Sequence, residues 1–368
     1  MADDESENLD LAPSVEIQDL ATNIFVKSLP KLELHAHLNG SISPSTIRKL
    51  IEYKKQRTAN GFDVPKDWEC CMTGEKRMTL EQGFMIFKIV HTLVDDHQSL
   101  AMVTRDVITE FFEDGVHYLE LRSTPRANEL NKITKRSYVE TILQTIIETT
   151  RNMDIIVRFL LSIDRRQSVG EAEDTVKLAT EFKDKYNGLV VGVDLSGDPK
   201  IGDAAEFLPC LKQARLAGLK LTFHVAEVPN IAETKTLLMF RPDRIGHGTC
   251  IYPDKGGDEE LVASVLQAKI PLELCLTSNV KCRTVKSYED HHFKDWRKNG
   301  HPIVICTDDK GVFTSSLSEE YLLAAKTFNL SKAHLWKLSY DSIDYIFEQN
   351  TIKEQLWTKW QRWKKENL

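Results

Sequence analysis

The sequence predicts an α/β protein folded as a (β/α)8 barrel, and three observations support this. Eight short runs rich in Leu, Ile and Val alternate with stretches of helical periodicity. The runs are almost continuously apolar, which is typical of parallel strands buried on both faces. Ionisable side chains gather where the runs end, and in a barrel the C-terminal strand ends share the face that carries active sites.

The predicted strands and helices follow one another regularly along the chain. The predicted strands are residues 29–39, 116–124, 155–165, 189–198, 219–227, 243–249, 270–279 and 302–309. Helical stretches between them include residues 138–151, 172–185, 204–218 and 258–269, and Gly218 is placed as a C-cap of the third.

Three segments lie outside this repeat. About 75 residues separate the first two strands, and a helical tail follows residue 316; a barrel can carry both as extensions. Trp357, Trp360 and Trp363, spaced by three, are expected to pack that tail onto the barrel. Residues 1–15 are acidic and poor in apolar residues, so we expect a disordered tail followed by one domain over 16–368.

Composition narrows the class of function. The net charge of -7 and the lack of a basic stripe argue against a nucleic acid or an anionic membrane as partner, so a small-molecule substrate is expected. No apolar run approaches the roughly 20 residues of a membrane span and the start is acidic, so we expect a cytosolic protein, acting as a monomer. Seven scattered cysteines without a CxxC pair indicate reduced thiols.

A metal site is predicted from histidines at the strand ends. His35 and His37 share a face because strand side chains alternate, and His224 and Asp308 end two later strands. Three imidazoles and one carboxylate suit one Zn²⁺ per chain, with iron or another divalent ion as the minority alternative. The chain lacks HExxH, HxxEH and PCxxC motifs. His291 and His292 are assigned to a helix before the eighth strand, in a solvated or structural role.

The segments ELHAHLNGS, DLSGDP, FHVAE, RIGHGT, LCLTSN and ICTDD together resemble the adenosine deaminase family of metal-dependent amidohydrolases, from about residue 29 to the C-terminus. The resemblance implies a (β/α)8 barrel whose zinc ion is held by the same four residues and which hydrolytically removes the 6-substituent of a purine. It implies Glu227 as the general acid at ring N1, and His247 as the residue that assists proton removal from water and stabilises charge. Asp309 would orient the hydroxide and contact N7, and the Gly197 backbone would contact N3.

Two departures from the best-known family members point to a 5'-phosphate. Asn39 replaces an acidic residue near the ribose 5' oxygen, and an amide would not repel a phosphate as a carboxylate does. Ser123, Thr124 and Arg126 supply donors for anionic oxygens. With these departures the sequence resembles the adenosine deaminase-like branch of the family, and this resemblance implies the reaction of N6-methyl-AMP and water to IMP and methylamine. The resemblance implies substrate contacts at His37, Asn39, His91, Ser123, Thr124, Pro125, Arg126, Asp164, Gly197 and Asp309.

Other interpretations stay open at this point. Asn39 and Arg126 would be incidental in an enzyme that deaminates adenosine itself. A catalytically silent barrel acting as a binding protein is a second alternative, which the filled ligand and acid positions disfavour. A metal hydrolase of esters or lactams is a third. For His91 a role as an ordinary core histidine competes, and Lys310, where the family usually has proline, either adds positive charge near the pocket or faces solvent.

Overall fold

The computed structural model describes residues 15–57, 64 and 80–368. Eight parallel strands pair in sequence order from β1 to β8, with helices between them, which confirms the predicted (β/α)8 architecture. The strands are β1 (Lys31–His37), β2 (Val116–Ser123), β3 (Ile156–Asp164), β4 (Val190–Ser196), β5 (Lys220–Val225), β6 (Arg244–His247), β7 (Leu272–Leu274) and β8 (Ile303–Ile305).

The barrel closes beside the predicted metal site. Between the first and last strands the described residues form a single bridge, which pairs Ala36 with Asp308. The N–H of Asp308 donates to the His35 carbonyl oxygen over 2.8 Å, and the N–H of His37 donates to the Asp308 carbonyl oxygen over 3.0 Å. Asp308 is therefore held between the two histidines of the HxH motif by backbone bonds.

The barrel interior contains buried charges as well as apolar side chains. Glu273 accepts from Arg122 over 2.9 Å and from Arg244 over 2.6 Å, and all three side chains are inaccessible to solvent. Arg244 also pairs with Glu120. Buried charges cost free energy unless each is paired, and here each acidic group faces an arginine. This network lies beneath the strand ends and supports the site above it.

The helices pack around the strands and form the extensions. They are α1 (Val15–Ser28), α2 (Pro44–Arg57), α3 (Leu80–Leu93), α4 (His97–Glu113), α5 (Lys135–Thr150), α6 (Val169–Lys185), α7 (Leu208–Leu216), α8 (Ile231–Phe240), α9 (Glu259–Ala268), α10 (Leu276–Lys281), α11 (Phe293–Lys298), α12 (Lys310–Phe313), α13 (Leu317–Phe328), α14 (Lys332–Asp341) and α15 (Asn350–Asn367). Short 3₁₀ segments cover Ala204–Phe207, Pro253–Lys255 and Ser342–Tyr345.

Two local predictions are corrected. The seventh strand was expected over 270–279, but β7 ends at Leu274 and the following residues form α10. His291 and His292 were expected inside a helix, yet α11 begins only at Phe293 and both imidazoles are fully buried. In both places polar side chains bond one another and the backbone, which local hydrophobic periodicity does not reveal.

The C-terminal tryptophans pack as predicted. The Trp360 side chain is fully buried and its Nε1 donates to Ser339 Oγ over 2.8 Å, while the Trp363 ring meets Phe25 edge-on at 5.4 Å. Trp357 packs against the cluster that contains Trp360 and residues of β1 and β2. The tail therefore covers the outside of the barrel.

Several expectations concern residues that the structure does not describe. The predicted acidic tail, residues 1–15, lies outside the described residues except for Val15, where α1 begins. Cys70 and Cys71 also lie outside the described residues, in the insertion between the first two strands. The other five cysteines are free thiols. Within the described ranges, no helix has the length and apolar character needed to cross a bilayer.

Candidate active site

Four side chains, from the ends of two strands and from the closing bridge, form one cluster. His35 and His37 end β1, His224 ends β5 and Asp308 follows β8; the potential ligand atoms of all four lie within 4.8 Å of one another. The Asp308 Oδ1 atom is 3.3 Å from Nε2 of both His35 and His37, and His37 Nε2 is 3.1 Å from His224 Nε2. The structure thus brings together the whole predicted ligand set.

The outer nitrogens of two of these histidines contact buried acids. His35 Nδ1 is 2.7 Å from Glu273 Oε2, and His224 Nδ1 is 3.1 Å from Asp194 Oδ1. An Nδ1–H that donates to a carboxylate leaves the Nε2 lone pair of a neutral imidazole directed into the cluster, as in metal sites. Two of the three predicted histidine ligands, His35 and His224, therefore have the supporting contacts that metal-bound histidines usually show.

The centre of the cluster requires positive charge. Burial lowers the pKa of His224, but the Asp194 carboxylate outweighs this and raises that pKa to about 9. A proton on His224 Nε2 serves only the contact with His37, and the buried His35 Nε2 has no hydrogen-bond partner in the described structure. A divalent cation would satisfy all four ligand atoms at once, so these residues fit a metal ion.

Unusual backbone conformations accompany the site. His247 and Asp308 both have φ of 63° and Ala226 has φ of 55°, in the left-handed region that non-glycine residues seldom adopt. Such residues cluster at functional sites, where surrounding contacts hold them. Gly246 precedes His247 because a Cβ there would lie 2.8 Å from His35 Cε1, which explains one glycine of the RIGHG motif.

The carboxyl of Glu227 has a pKa near neutrality. It follows β5, and its Oε2 lies 3.7 Å from His247 Nε2. Burial, together with the negative charge of Asp308, raises the pKa of the Glu227 carboxyl to about 7 despite the opposing effect of His224. A carboxyl with this pKa can hold a proton at neutral pH and deliver it to a substrate.

The pKa values of the adjacent acids Asp308 and Asp309 are shifted in opposite directions. The surrounding histidines hold the pKa of Asp308 well below its usual range despite burial, whereas burial and the charges of Asp308 and Glu227 raise that of Asp309 well above it. Asp309 Oδ1 is buried without a partner in the described chain. Gly40 permits this placement, because a Cβ at Gly40 would lie 1.6 Å from Asp309 Oδ1.

A cavity that is partly open to solvent lies over the cluster. Most of the predicted substrate and catalytic residues line it: His37, Asn39, His91, Ser123, Thr124, Arg126, Asp164, Gly197, His224, Glu227, His247, Asp308 and Asp309. Pro125 and His35 are buried and do not belong to this lining. His91 therefore lies at the cavity wall, beside Phe87 on α3, and its role as a ligand contact stays a prediction.

One wall of the cavity carries hydrogen-bond donors and cations. Asn39 Nδ2 donates to Tyr138 OH over 3.2 Å and to Ser123 Oγ over 3.4 Å, while the buried Asn39 Oδ1 has no partner within the described ranges. The Arg126 guanidinium lies 5.8 Å from the Tyr138 ring centre, and its buried Nε also has no hydrogen-bond partner in the described chain. Burial and the positive charges of Arg126 and Arg166 lower the pKa of His91 to about 3.

Asp164 and Gly197 meet at another part of the wall. Asp164 accepts from the Arg166 guanidinium, with Nε to Oδ1 at 2.9 Å. Gly197 has φ of +105°, and a Cβ there would lie 2.3 Å from Asp164 Oδ1, so only glycine fits this turn. Of the two expectations for Lys310, exposure to solvent is wrong, since its Nζ donates to Glu110 Oε2 over 2.7 Å and the side chain is largely buried.

Sequence reasoning missed the residues that support the site from behind. Glu273 interrupts the apolar run of β7, and that interruption was an available signal. Tyr138 on α5 contacts Asn39, and Asn279 on α10 contacts His247. His291 in turn contacts Asn279. These residues come from different elements, so no local sequence pattern connects them.

Comparisons with known proteins agree with this geometry. A family model described as adenosine deaminase matches residues 30–363. The chain is 51% identical over 338 residues to the Homo sapiens protein named N6-methyl-AMP deaminase, covering 91% of this chain and 94% of that protein. It is 38% identical over 354 residues to the Arabidopsis thaliana N6-mAMP deaminase, covering 90% and 96%. A crystal structure of Arabidopsis ADAL complexed with IMP has a TM-score of 0.86 and 38% identity, covering 94% of this chain and 99% of that one.

Proposed function

Since the chain belongs to the adenosine deaminase family, we propose that it hydrolyses N6-methyl-AMP to IMP and methylamine. The reaction forms a C6–O bond to the oxygen of water and breaks the C6–N bond, and the amine leaves with protons that the water and the site supply. Relatives named for this activity and a related structure with bound IMP support the choice of substrate.

The observation that carries the proposal is the polar wall of the cavity. Ser123, Thr124 and Arg126 line the same cavity as the metal-ligand cluster, and the buried Arg126 Nε has no partner among the residues that the structure describes. A buried guanidinium nitrogen left unpaired costs free energy, and a phosphate oxygen would satisfy it. We assign this wall to the 5'-phosphate of the substrate.

Asn39 has a role in this wall that depends on the orientation of its amide. As placed, the amide nitrogen donates to Ser123 and Tyr138, and the free Oδ1 can accept a hydrogen bond from the ligand. Rotated by about 180°, the amide would accept from the two hydroxyls and offer its N–H groups to a phosphate oxygen. Neither orientation places a negative charge beside the phosphate.

Zinc is the metal we propose, one ion per chain, held by His35, His37, His224 and Asp308. A zinc ion in such a site would lower the pKa of water to near 7 and so would supply a nucleophile at neutral pH.

The remaining chemistry belongs to side chains of the cavity. Attack at C6 moves electron density onto ring N1, where a protonated Glu227, with a pKa of about 7, can donate its proton. Burial and the neighbouring carboxylates raise the pKa of Asp309, which favours the protonated carboxyl that could donate to the lone pair of ring N7. Gly197 lines the cavity, and we assign its backbone to a contact with the ring edge near N3.

The proposal is tested by incubating purified, zinc-loaded protein with N6-methyl-AMP and measuring IMP and methylamine. We expect equal amounts of both products, and no turnover in metal-free protein. Absence of IMP from metal-loaded, folded protein would overturn the proposal. A cytosolic location and a monomeric state stay predictions.

A further inference from the structure

A chain of hydrogen bonds runs from the backbone to His247. The N–H of Phe293 donates to His291 Nδ1 over 3.0 Å, and His291 Nε2 lies 3.0 Å from Asn279 Oδ1. Asn279 Nδ2 then lies 3.1 Å from His247 Nδ1. His291, Asn279 and His247 are all at least 98% buried, so water does not compete for these bonds.

The direction of this chain is fixed at its first bond. A backbone N–H can only donate, so His291 Nδ1 is an acceptor and the proton of neutral His291 is on Nε2. That proton is donated to the amide oxygen of Asn279, which leaves the amide nitrogen to donate to His247 Nδ1. Rotating the Asn279 amide by 180° would place its N–H against the Nε2–H of His291, and two buried donors facing each other cost free energy.

The result fixes the tautomer of His247. Its Nδ1 accepts from Asn279, so the imidazole proton is on Nε2, and a doubly protonated ring would place an N–H against the amide N–H. His247 Nε2 faces the reaction side, 3.7 Å from Glu227 Oε2 and 3.9 Å from Asp308 Oδ2. An Nε2–H at this position is a hydrogen-bond donor and has no lone pair to accept a proton from water.

We propose that Asn279 and His291 are positioning residues that hold His247 as the Nε2–H tautomer, so that His247 donates to the attacking oxygen and does not act as a general base. The inference rests on the proposed function and deepens it, because it keeps only one of the two roles expected for His247, the stabilisation of developing charge.

His292 supports the same arrangement through the backbone. Its Nε2 lies 2.8 Å from the His247 carbonyl oxygen, and its ring stacks on His291 at 4.2 Å. This bond helps to hold the left-handed conformation of His247, whose φ is 63°. His291 thus holds the ring of His247 through Asn279, and the adjacent His292 holds the backbone of His247 directly.

The tautomer can be measured without substrate. In zinc-loaded protein labelled with ring-¹⁵N histidine, the His247 signals are assigned by their loss in the His247→Gln variant. We expect a protonated Nε2 and an unprotonated Nδ1. An Nδ1–H tautomer or an imidazolium near pH 7 would overturn the inference. Because this measurement needs no turnover, its failure is distinct from failure of the proposed reaction.

Asn279→Asp reverses the proposed arrangement at nearly constant volume. The carboxylate accepts from both histidines, so the His247 proton should move to Nδ1. With N6-methyl-AMP we expect kcat to fall about 100-fold or more and KM to stay within about twofold, as when a donor acting only in the transition state is lost. Retention of wild-type kcat in a folded Asn279→Asp protein would contradict the inference.

Variants of His291 separate positioning from packing. His291→Gln can place a donor near the original Nε2 and should stay within about tenfold of wild-type kcat, whereas His291→Phe removes the donor and should match Asn279→Asp. His301 is the matched control, since it is also buried and its Nε2 contacts the Ile270 carbonyl oxygen at 2.8 Å. This contact lies before β7 and β8 begin, at the end of the barrel opposite the active site. His301→Phe should lower Tm without lowering kcat. If His291→Phe does not fold, the tautomers of wild type and Asn279→Asp decide the matter.

Discussion

The N–H of His37 donates to the carbonyl oxygen of Asp308 over 3.0 Å, and this bond helps to close the barrel at the metal-ligand cluster. The first and eighth strands make only one bridge between described residues, so closure of the barrel and assembly of the cluster are the same structural event. Metal binding and stability of the folded barrel should therefore be linked.

Removal of the metal is the first prediction. An ion that binds only the folded state at about 100 times its Kd adds about 2.7 kcal/mol to the free energy of unfolding. Dialysis against a chelator should therefore lower Tm by several degrees and abolish turnover, and added Zn²⁺ should restore both. Thermal unfolding and metal analysis measure this. Asp308→Asn should behave like metal-free protein, whereas Asp254→Asn, on the surface, should not. An unchanged Tm after complete metal removal would contradict the prediction.

Loss of the proton donor is the second prediction. Glu227→Gln keeps the shape of the side chain but cannot give a proton to ring N1, so kcat should fall about 100- to 10,000-fold with little change in KM. Steady-state kinetics with N6-methyl-AMP check this. Glu320 is the control, because it is also buried with a raised pKa and lies outside the cavity lining. Glu320→Gln should keep wild-type kcat, and an active Glu227→Gln enzyme would exclude the assigned role.

The pH dependence of kcat/KM is the third prediction. Burial raises the pKa of Glu227 to about 7, and the residue must be protonated to act as an acid. The protonated fraction of Glu227 is therefore complete well below pH 7 and falls about tenfold per pH unit above it. A profile of kcat/KM against pH should show this decline on the alkaline side. A profile that stays level to about pH 9 would mean that the proton donor has been misassigned.

Charge at residue 39 is the fourth prediction. Asn39→Asp places a carboxylate near the proposed phosphate, and two like charges about 4 Å apart repel by several kcal/mol at a surface-like dielectric constant. We expect KM for N6-methyl-AMP to rise at least tenfold, with a much smaller change for N6-methyladenosine. Asn299→Asp adds the same charge at an exposed position and should alter neither. Equal effects on nucleotide and nucleoside would argue against a phosphate beside Asn39.

Some of the site could be predicted from the sequence because its residues repeat with the period of a strand or end an apolar run. His35 and His37 follow strand alternation, and His224 and Asp308 end runs whose partners are fixed by the barrel. The contact between Asn279 and His291 could not be predicted, because the residues of α10 were predicted as a strand. A hydrogen bond between side chains of separate elements also leaves no periodic pattern in the sequence. The role of the buried acid Glu273 is likewise evident only from its contact with His35, on a strand far away in sequence.

The most direct test of the central claim compares kcat/KM for N6-methyl-AMP with that for N6-methyladenosine and adenosine, in wild type, Arg126→Ala and the surface control Arg136→Ala. Arg126 lines the cavity, whereas Arg136 pairs with Glu181 on the surface. We predict that wild type and Arg136→Ala prefer the monophosphate by at least about 100-fold and that Arg126→Ala loses most of this preference, since a charged hydrogen bond contributes about 1.5–3 kcal/mol. Faster turnover of adenosine than of N6-methyl-AMP by the wild-type protein would contradict the claim.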